Sequence, residues 1–200
     1  MMLCPLAMYT NKEIMETNFS NSLVCVNEDD VQLCVKEKME VHLLGLLHRA
    51  FSIFIFKKIS DFNHHLLIQK RSYSKYHTPG LWTNTCCGHA SPVKDIQSSA
   101  KIRLKEEMGF NCELKPIGKF IYKSILDNGL IEHEIDHVFI GFVEKINISP
   151  NPVEVDSYRW TAIENILQEY QKNPSLFTPW FYPSLQLVIN NLKEAHDYNA

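Results

Sequence analysis

Apolar residues gather in short alternating or continuous runs along most of the chain and give way to a four-residue spacing after residue 95. "LVCVNEDD" from Leu23 reads as a short strand ending in an acidic turn. Ala50 to Ser72 reads as a hairpin, two apolar strands around a polar connection that contains Asp61 and Asn63. "HTPGLWT" is a turn, because Pro79 pre-sets one backbone angle and Gly80 permits the other, and it feeds an extended segment through Cys86 and Cys87. Ile96, Ala100, Leu104 and Met108 then mark one side of a helix from Asp95 to Met108, with Gly109 where a helix stop is expected. Strand patterns follow at Gly118–Leu126, Glu132–Val143 and Val155–Trp160, with a turn at Asp127–Gly129. Two helical stretches, near Ala162–Gln171 and Phe181–Ala195, close the order. Strands around one helix with helices at the end predict a mixed α/β or α+β sandwich. Residues 1–21 lack periodicity and read as a loose extension, leaving 22–200 as a single domain.

Composition narrows the possibilities. Two hundred residues at 45% hydrophobic content suffice for one well-cored domain plus an extension. A formal charge of -3 without a basic cluster gives no reason to expect nucleic acid, whose binding requires counterion displacement by Lys and Arg. No apolar run reaches the ~18 residues of a membrane span. "MMLCPLAM" lacks the basic and long apolar regions of a secretory signal, and no arginine precedes Arg49, so the expected location is the cytoplasm. Thiols stay reduced there. The six cysteines, Cys4, Cys25, Cys34, Cys86, Cys87 and Cys112, show no C-x-x-C spacing, so neither a disulfide framework nor a cysteine-rich zinc clip is expected.

Candidate chemistry lies in "TCCGH" and "EHE". On a strand, Cys87 and His89 share a face while Cys86 points away. Both thiols could equally be small buried hydrophobes. Glu132 and Glu134 likewise share a face, with His133 opposite, and two such carboxylates repel unless a cation or shared proton intervenes. A solvated edge is the bland alternative, although the strand continues into apolar "VFIGFV". His42 and His48 flank a short apolar loop; they are either packed residues or, with His89, Glu132 and Glu134, a ligand set for a divalent metal. Lys38, Arg71, Lys75 and Arg103 sit on loops or at element ends near these groups, and Arg forks and Lys point charges are the usual partners of a diphosphate.

"EKMEVHLLGLLHRAFSIFIF", "LLIQKRSYSKYHTPGLWTNTCCGHA", "KIRLKEEMGF", "EHEID" and "FTPWF" together resemble the successive signatures of type I isopentenyl-diphosphate isomerases, which are built on the Nudix fold. The resemblance runs from about Val24 to Asn191. It implies an α/β/α sandwich with a mixed sheet between helices, and an enzyme interconverting isopentenyl and dimethylallyl diphosphate. Cys87 and Glu134 match the catalytic pair, and Tyr122 matches an aromatic residue at the hydrocarbon end, placed to relay the glutamate's proton. His42, His48, His89, Glu132 and Glu134 match ligands of a manganese, zinc or magnesium ion. Glu107 matches the carboxylate that holds magnesium on the substrate diphosphate, which Lys38, Arg71, Lys75 and Arg103 would grip, while Trp180 lines the hydrocarbon end. The implied partner is that small diphosphate alone, handled by a monomer or weak homodimer.

The general Nudix box departs here. Counted from Gly88, Lys94 stands where a glutamate belongs and Ile102-Arg103 where Arg-Glu belongs, leaving Glu106 and Glu107. Those missing carboxylates gather magnesium in Nudix hydrolases, so their loss favours an isomerase over the alternative of a diphosphate hydrolase. A third reading is a non-catalytic binding module with inert thiols.

Overall fold

The apolar run Ala50–Phe56 is buried on both faces, as a strand at the centre of a covered sheet must be. The computed structural model describes residues 21–60 and 63–197. In chain order it contains β1 (Ser22–Val26), β2 (Gln32–Glu37), α1 (Lys38–Leu44), β3 (His48–Ser60), β4 (Asn63–Arg71), β5 (Trp82–Thr83) and β6 (Cys86–His89). There follow α2 (Ile96–Met108), β7 (Lys115–Ile125), β8 (Ile131–Val143), β9 (Val155–Ala162), α3 (Ile163–Lys172), a 3-10 turn (Pro174–Leu176) and α4 (Phe181–Asp197). The nine strands form one mixed sheet organised on β3. On one side β3 runs parallel to β8; on the other it pairs antiparallel with β1, β6 and β4 in turn.

Alternation along β3 divides the core. Phe51, Ile53 and Ile55 pack with Ala100, Leu104 and Met108 of α2, whereas Phe54 and Phe56 pack with Ile166 of α3 and Phe181, Leu185 and Val188 of α4. Helices therefore cover both faces, and the architecture is the expected mixed α+β sandwich. The two predicted C-terminal helices form, and so does the helix from Asp95 that four-residue spacing indicated. The Asp95 side chain caps α2 by accepting from Ser98 N at 2.8 Å, and Gly109 ends it at φ 79.

Two details differ from the sequence reading. The stretch before His48 is not only an apolar loop: Lys38–Leu44 forms a helix, capped by Glu37 through bonds to Met39 N and Glu40 N and stopped by Gly45 at φ 61. Seven residues are too few for a periodic signal, and tertiary packing of Val41 stabilises the turn. Arg103 is not at an element end either; it sits within α2. The expected N-terminal extension lies outside the described residues except for Asn21, and β1 starts at Ser22. Among the described residues no helix is long and apolar enough to cross a membrane.

Gly109 combines a left-handed backbone with a close approach: a Cβ there would lie 2.3 Å from the Ser149 carbonyl oxygen. Exposed Gly129 has a similar φ of 80 and nothing within 4 Å. Gly129→Ala is expected to cost about 1 kcal/mol for conformation alone, and Gly109→Ala about 2–4 kcal/mol because backbone must also move. Urea unfolding of both variants checks this; equal losses would refute the packing contribution.

Candidate active site

The ladder of β3 with β6 sets Ser52 opposite Cys87 and Ile53 opposite Cys86. Opposed residues share a face, so Cys86 enters the α2-side core, fully buried, while Cys87 faces a pocket of about 490 Å³ together with Ser52 and His89. On the other side of β3, parallel pairing puts His48 opposite Glu134, and β7 puts Tyr122 opposite Glu134. One row across the sheet thus reads Tyr122, Glu134, His48. Glu132 precedes Glu134 by two residues on the same face, and His42 descends from α1 beside them.

Four of these groups converge: ligand atoms of His42, His48, His89 and Glu132 all lie within 4.8 Å of one another. His42 Nδ1 is 2.7 Å from the Lys38 carbonyl oxygen and His48 Nδ1 is 2.9 Å from that of Leu46. A carbonyl can only accept, so both Nδ1 atoms carry the hydrogen and the Nε2 atoms point inward. His42 Nε2 lies 3.3 Å from Glu132 Oε2, and His48 Nε2 lies 3.9 Å from the same oxygen and 3.4 Å from Glu134 Oε1. These buried Nε2 atoms and Glu132 Oε2 lack hydrogen-bond partners. Lone pairs and carboxylate oxygens aimed at one point call for a cation, and the set of imidazoles and carboxylate fits a divalent metal. Glu134 stands at the edge of this group, 3.1 Å from His89 Nε2 through Oε1.

The Tyr122 hydroxyl donates to Glu134 Oε2 at 2.6 Å. Burial acts to raise the Glu134 pKa, but His48 and the phenol outweigh it and hold the carboxyl below its ordinary range. Burial and the neighbouring carboxylate push the Tyr122 hydroxyl well up. Cys87 is pushed up to about 12, chiefly by burial and against the pull of Arg71, whose NH1 lies 3.9 Å from Sγ. The site therefore holds a proton-bearing thiol and a proton-free carboxylate within one cavity. Above them stands Trp180, 4% exposed, its indole N–H donating to Thr83 Oγ1 at 3.1 Å and its ring 5.5 Å from the Arg71 guanidinium.

Lys38, Arg71, Lys75 and Arg103 all line the same pocket, as does Glu107. Arg103 reaches it from the α2 face past Gly88, where a Cβ would meet the Arg103 Cγ at 3.3 Å and Phe51 Cζ at 3.1 Å. Its NH2 lies 2.7 Å from Glu107 Oε1 and 2.6 Å from Glu154 Oε2, and the Glu107 Oε2 accepts from Gln69 Nε2 at 2.7 Å. Every candidate catalytic, substrate-binding or metal-binding residue thus borders this cavity except His42 and His48, which are wholly buried.

The structure adds residues that sequence reasoning missed. Asp136 is the third carboxylate of the Glu132/Glu134 face, buried and accepting from Ser52 Oγ at 2.7 Å; strand alternation alone could have found it. Burial and Glu134 raise its pKa well above the carboxylate range. His77 Nε2 lies 3.5 Å from Glu132 Oε1, and burial lowers its pKa to about 3. Glu154 pairs with both Lys75 and Arg103. The last two sit in turns, where no periodicity marks them.

The model of the NUDIX domain family matches residues 46–181. Solved structures of similar fold include a Deinococcus radiodurans protein, with TM-score 0.59 and 16% identity over 76% of this chain and 90% of that chain. A MutT protein from Methanosarcina mazei gives 0.56 and 16% over 74% and 95%. Much nearer in sequence are proteins named isopentenyl-diphosphate Delta-isomerase. That of Burkholderia multivorans is 43% identical over 80% of this chain and 88% of its own length, and that of Serratia proteamaculans 44% over 80% and 86%. With a Nudix match over most of the chain and identity of this order across nearly the whole of such relatives, the chain belongs to the isopentenyl-diphosphate Delta-isomerase family of the Nudix fold.

Proposed function

We propose that the chain is an isomerase that interconverts isopentenyl and dimethylallyl diphosphate, the two five-carbon precursors of isoprenoids. The observation that carries this reading is one cavity lined by the Cys87 thiol, the Glu134 carboxylate and four cations, with burial pushing the thiol up and His48 and Tyr122 holding the carboxyl down. Moving the double bond requires a proton added to one terminal carbon and another removed from the carbon two bonds away. Cys87 and Glu134, with the Tyr122 hydroxyl bonded to Glu134, supply the acid and the base from two different strands. Protonating an unactivated alkene creates tertiary cation character, which the Trp180 ring stabilises by about 2 kcal/mol once water is excluded. The indole's bond to Thr83 holds the ring in place. Lys38, Arg71, Lys75 and Arg103 grip the diphosphate, whose magnesium ion is assigned to Glu107. A divalent ion of manganese, zinc or magnesium in the histidine set would fix Glu132 and Glu134 in position and lower the cost of burying their charge.

The hydrolase reading has less support. Lys94 and Arg103 replace carboxylates of the Nudix box, and Arg103 sits on Glu107. Hydrolysis of the same substrate would release phosphate.

Incubation with isopentenyl diphosphate and magnesium in heavy water is expected to give deuterated dimethylallyl diphosphate by NMR without free phosphate. Cys87→Ala should lower kcat by about 10³-fold, while Cys86→Ala stays within about fivefold because that thiol packs against α2. Equal loss in both folded variants would sink the division of labour between the thiols.

The direction of the Cys87 shift sets a pH test. A thiol titrating at about 12 keeps its proton through pH 9, so it gains thiolate only above the range of an ordinary cysteine. Alkylation of Cys87 by iodoacetamide at pH 9, followed by peptide mass spectrometry, should run below about 1% of the free-cysteine rate. A rate near that of free cysteine would contradict the assignment.

For the histidine set, Glu132→Gln and His48→Gln should each weaken divalent-metal retention by more than about 100-fold in chelator competition. Circular dichroism would confirm that each variant remains folded. Unchanged retention would remove the metal site.

A further inference from the structure

The four cations that line the cavity are not equivalent. Arg71 donates to the carbonyls of Thr78 and His77 and faces the Trp180 ring, and Lys38 lies over the Tyr76 ring. Lys75 and Arg103, by contrast, converge on a single oxygen, Glu154 Oε2. Arg103 NH2 is also shared with Glu107. One end of the grip is therefore compensated by carboxylates, and the other has neutral partners.

The carboxylate that compensates Lys75 and Arg103 is held from both sides. The Glu154 carbonyl accepts from Ser72 N at 3.0 Å, and Ser74 Oγ donates to the Val153 carbonyl at 3.1 Å, tying the segment to the loop of Lys75. Asn151 N donates to the Glu107 carbonyl at 2.8 Å and Ser149 N to that of Met108 at 3.1 Å, tying it to α2. Glu154 N closes the turn onto the Asn151 carbonyl at 2.9 Å. These bonds fix the backbone from which the Glu154 carboxylate reaches Lys75 and Arg103.

We propose that Glu154 is a specificity-determining residue: it makes this end of the pocket reject bare diphosphate and accept the magnesium complex. The proposal rests on the reading of the pocket as a diphosphate site. A bare diphosphate must bring its full charge against Glu154 and Glu107 while competing with them for Lys75 and Arg103. A magnesium ion on the diphosphate offsets that charge and turns the same carboxylates from repulsive to attractive neighbours.

The test uses inorganic pyrophosphate, which cannot isomerise. Its binding to the folded full-length protein is measured by calorimetry with saturating magnesium and in buffer freed of magnesium by chelating resin. The wild type is expected to prefer the magnesium complex. Glu154→Gln should reduce that preference at least fivefold, mainly by tightening bare pyrophosphate, and Glu154→Asp, which keeps the charge, should stay within twofold of the wild type. A merely structural role would weaken both forms alike; an unchanged ratio in Glu154→Gln, or an equal change in Glu154→Asp, overturns the proposal. Failure of the wild type to bind pyrophosphate in either form would instead defeat the diphosphate reading itself, and the proposal with it.

Discussion

The register of β3 against β8 is the constraint from which the site follows. Pairing runs in parallel from His48 with Glu134 to Lys57 with Val143, and a slip of one residue would turn every side chain of one strand to the opposite face. That slip would carry Glu132 and Glu134 out of the pocket and bring His133 in. What pins the register is the apolar alternation of the same strands: Ile53 and Phe139 belong to the α2-side core, and Phe54 and Val138 to the α4-side core. The hydrophobic cores that stabilise the fold therefore also aim the carboxylates, and the chemistry requires no additional scaffold.

Burying so much charge has to be offset locally. Glu134 is held by Tyr122 and His89, Glu107 by Gln69 and Arg103, and Glu154 by Lys75 and Arg103. Where His42, His48 and Glu132 meet, the inward atoms of all three lack partners. Two imidazole nitrogens and a carboxylate oxygen left unpartnered at one point indicate a ligand rather than loose packing. Asp136 is handled differently. Its pKa is raised well above the carboxylate range, and it accepts one bond from Ser52. Three carboxylates at alternate positions of one strand thus have three environments.

Much of this was legible in the residues, and the reasons are specific. Strand alternation needs only the identity of consecutive positions, so "CCGH" suffices to part Cys87 and His89 from Cys86, and "EHE" to pair the glutamates. Four-residue spacing and the Asp95 and Gly109 caps suffice for α2. Alternation could not say that the two strands meet across β3, because that is set by the separate pairings of β3 with β6 and with β8, segments distant in sequence; the family resemblance supplied it. His77 and Glu154 were invisible for a different reason. Turns carry no periodicity, and the value of a turn residue depends on which elements the turn happens to touch. Arg103 was misplaced because a helix can deliver a long side chain to a pocket from its middle when the strand beneath offers a glycine.

Gly88 is where the two halves of the proposed reaction meet. On its α4 side lie Cys87, His89 and Trp180; on its α2 side lie Arg103 and Glu107. The missing side chain lets the Arg103 stem cross the sheet edge, so the diphosphate grip adjoins the proton-transfer pair without sharing residues with it. Where a Nudix hydrolase gathers carboxylates on this helix, Arg103 stands instead, occupied by Glu107 and by Glu154 from a separate loop. The negative charge has not vanished from the diphosphate end; part of it now comes from outside α2, at a position anchored by backbone bonds. Such an arrangement can select a metal-complexed diphosphate while leaving fewer ligands to activate a water against it. For an enzyme that must return its diphosphate intact, anchoring without attack is the requirement, and the exchange of a glutamate for Arg103 meets it.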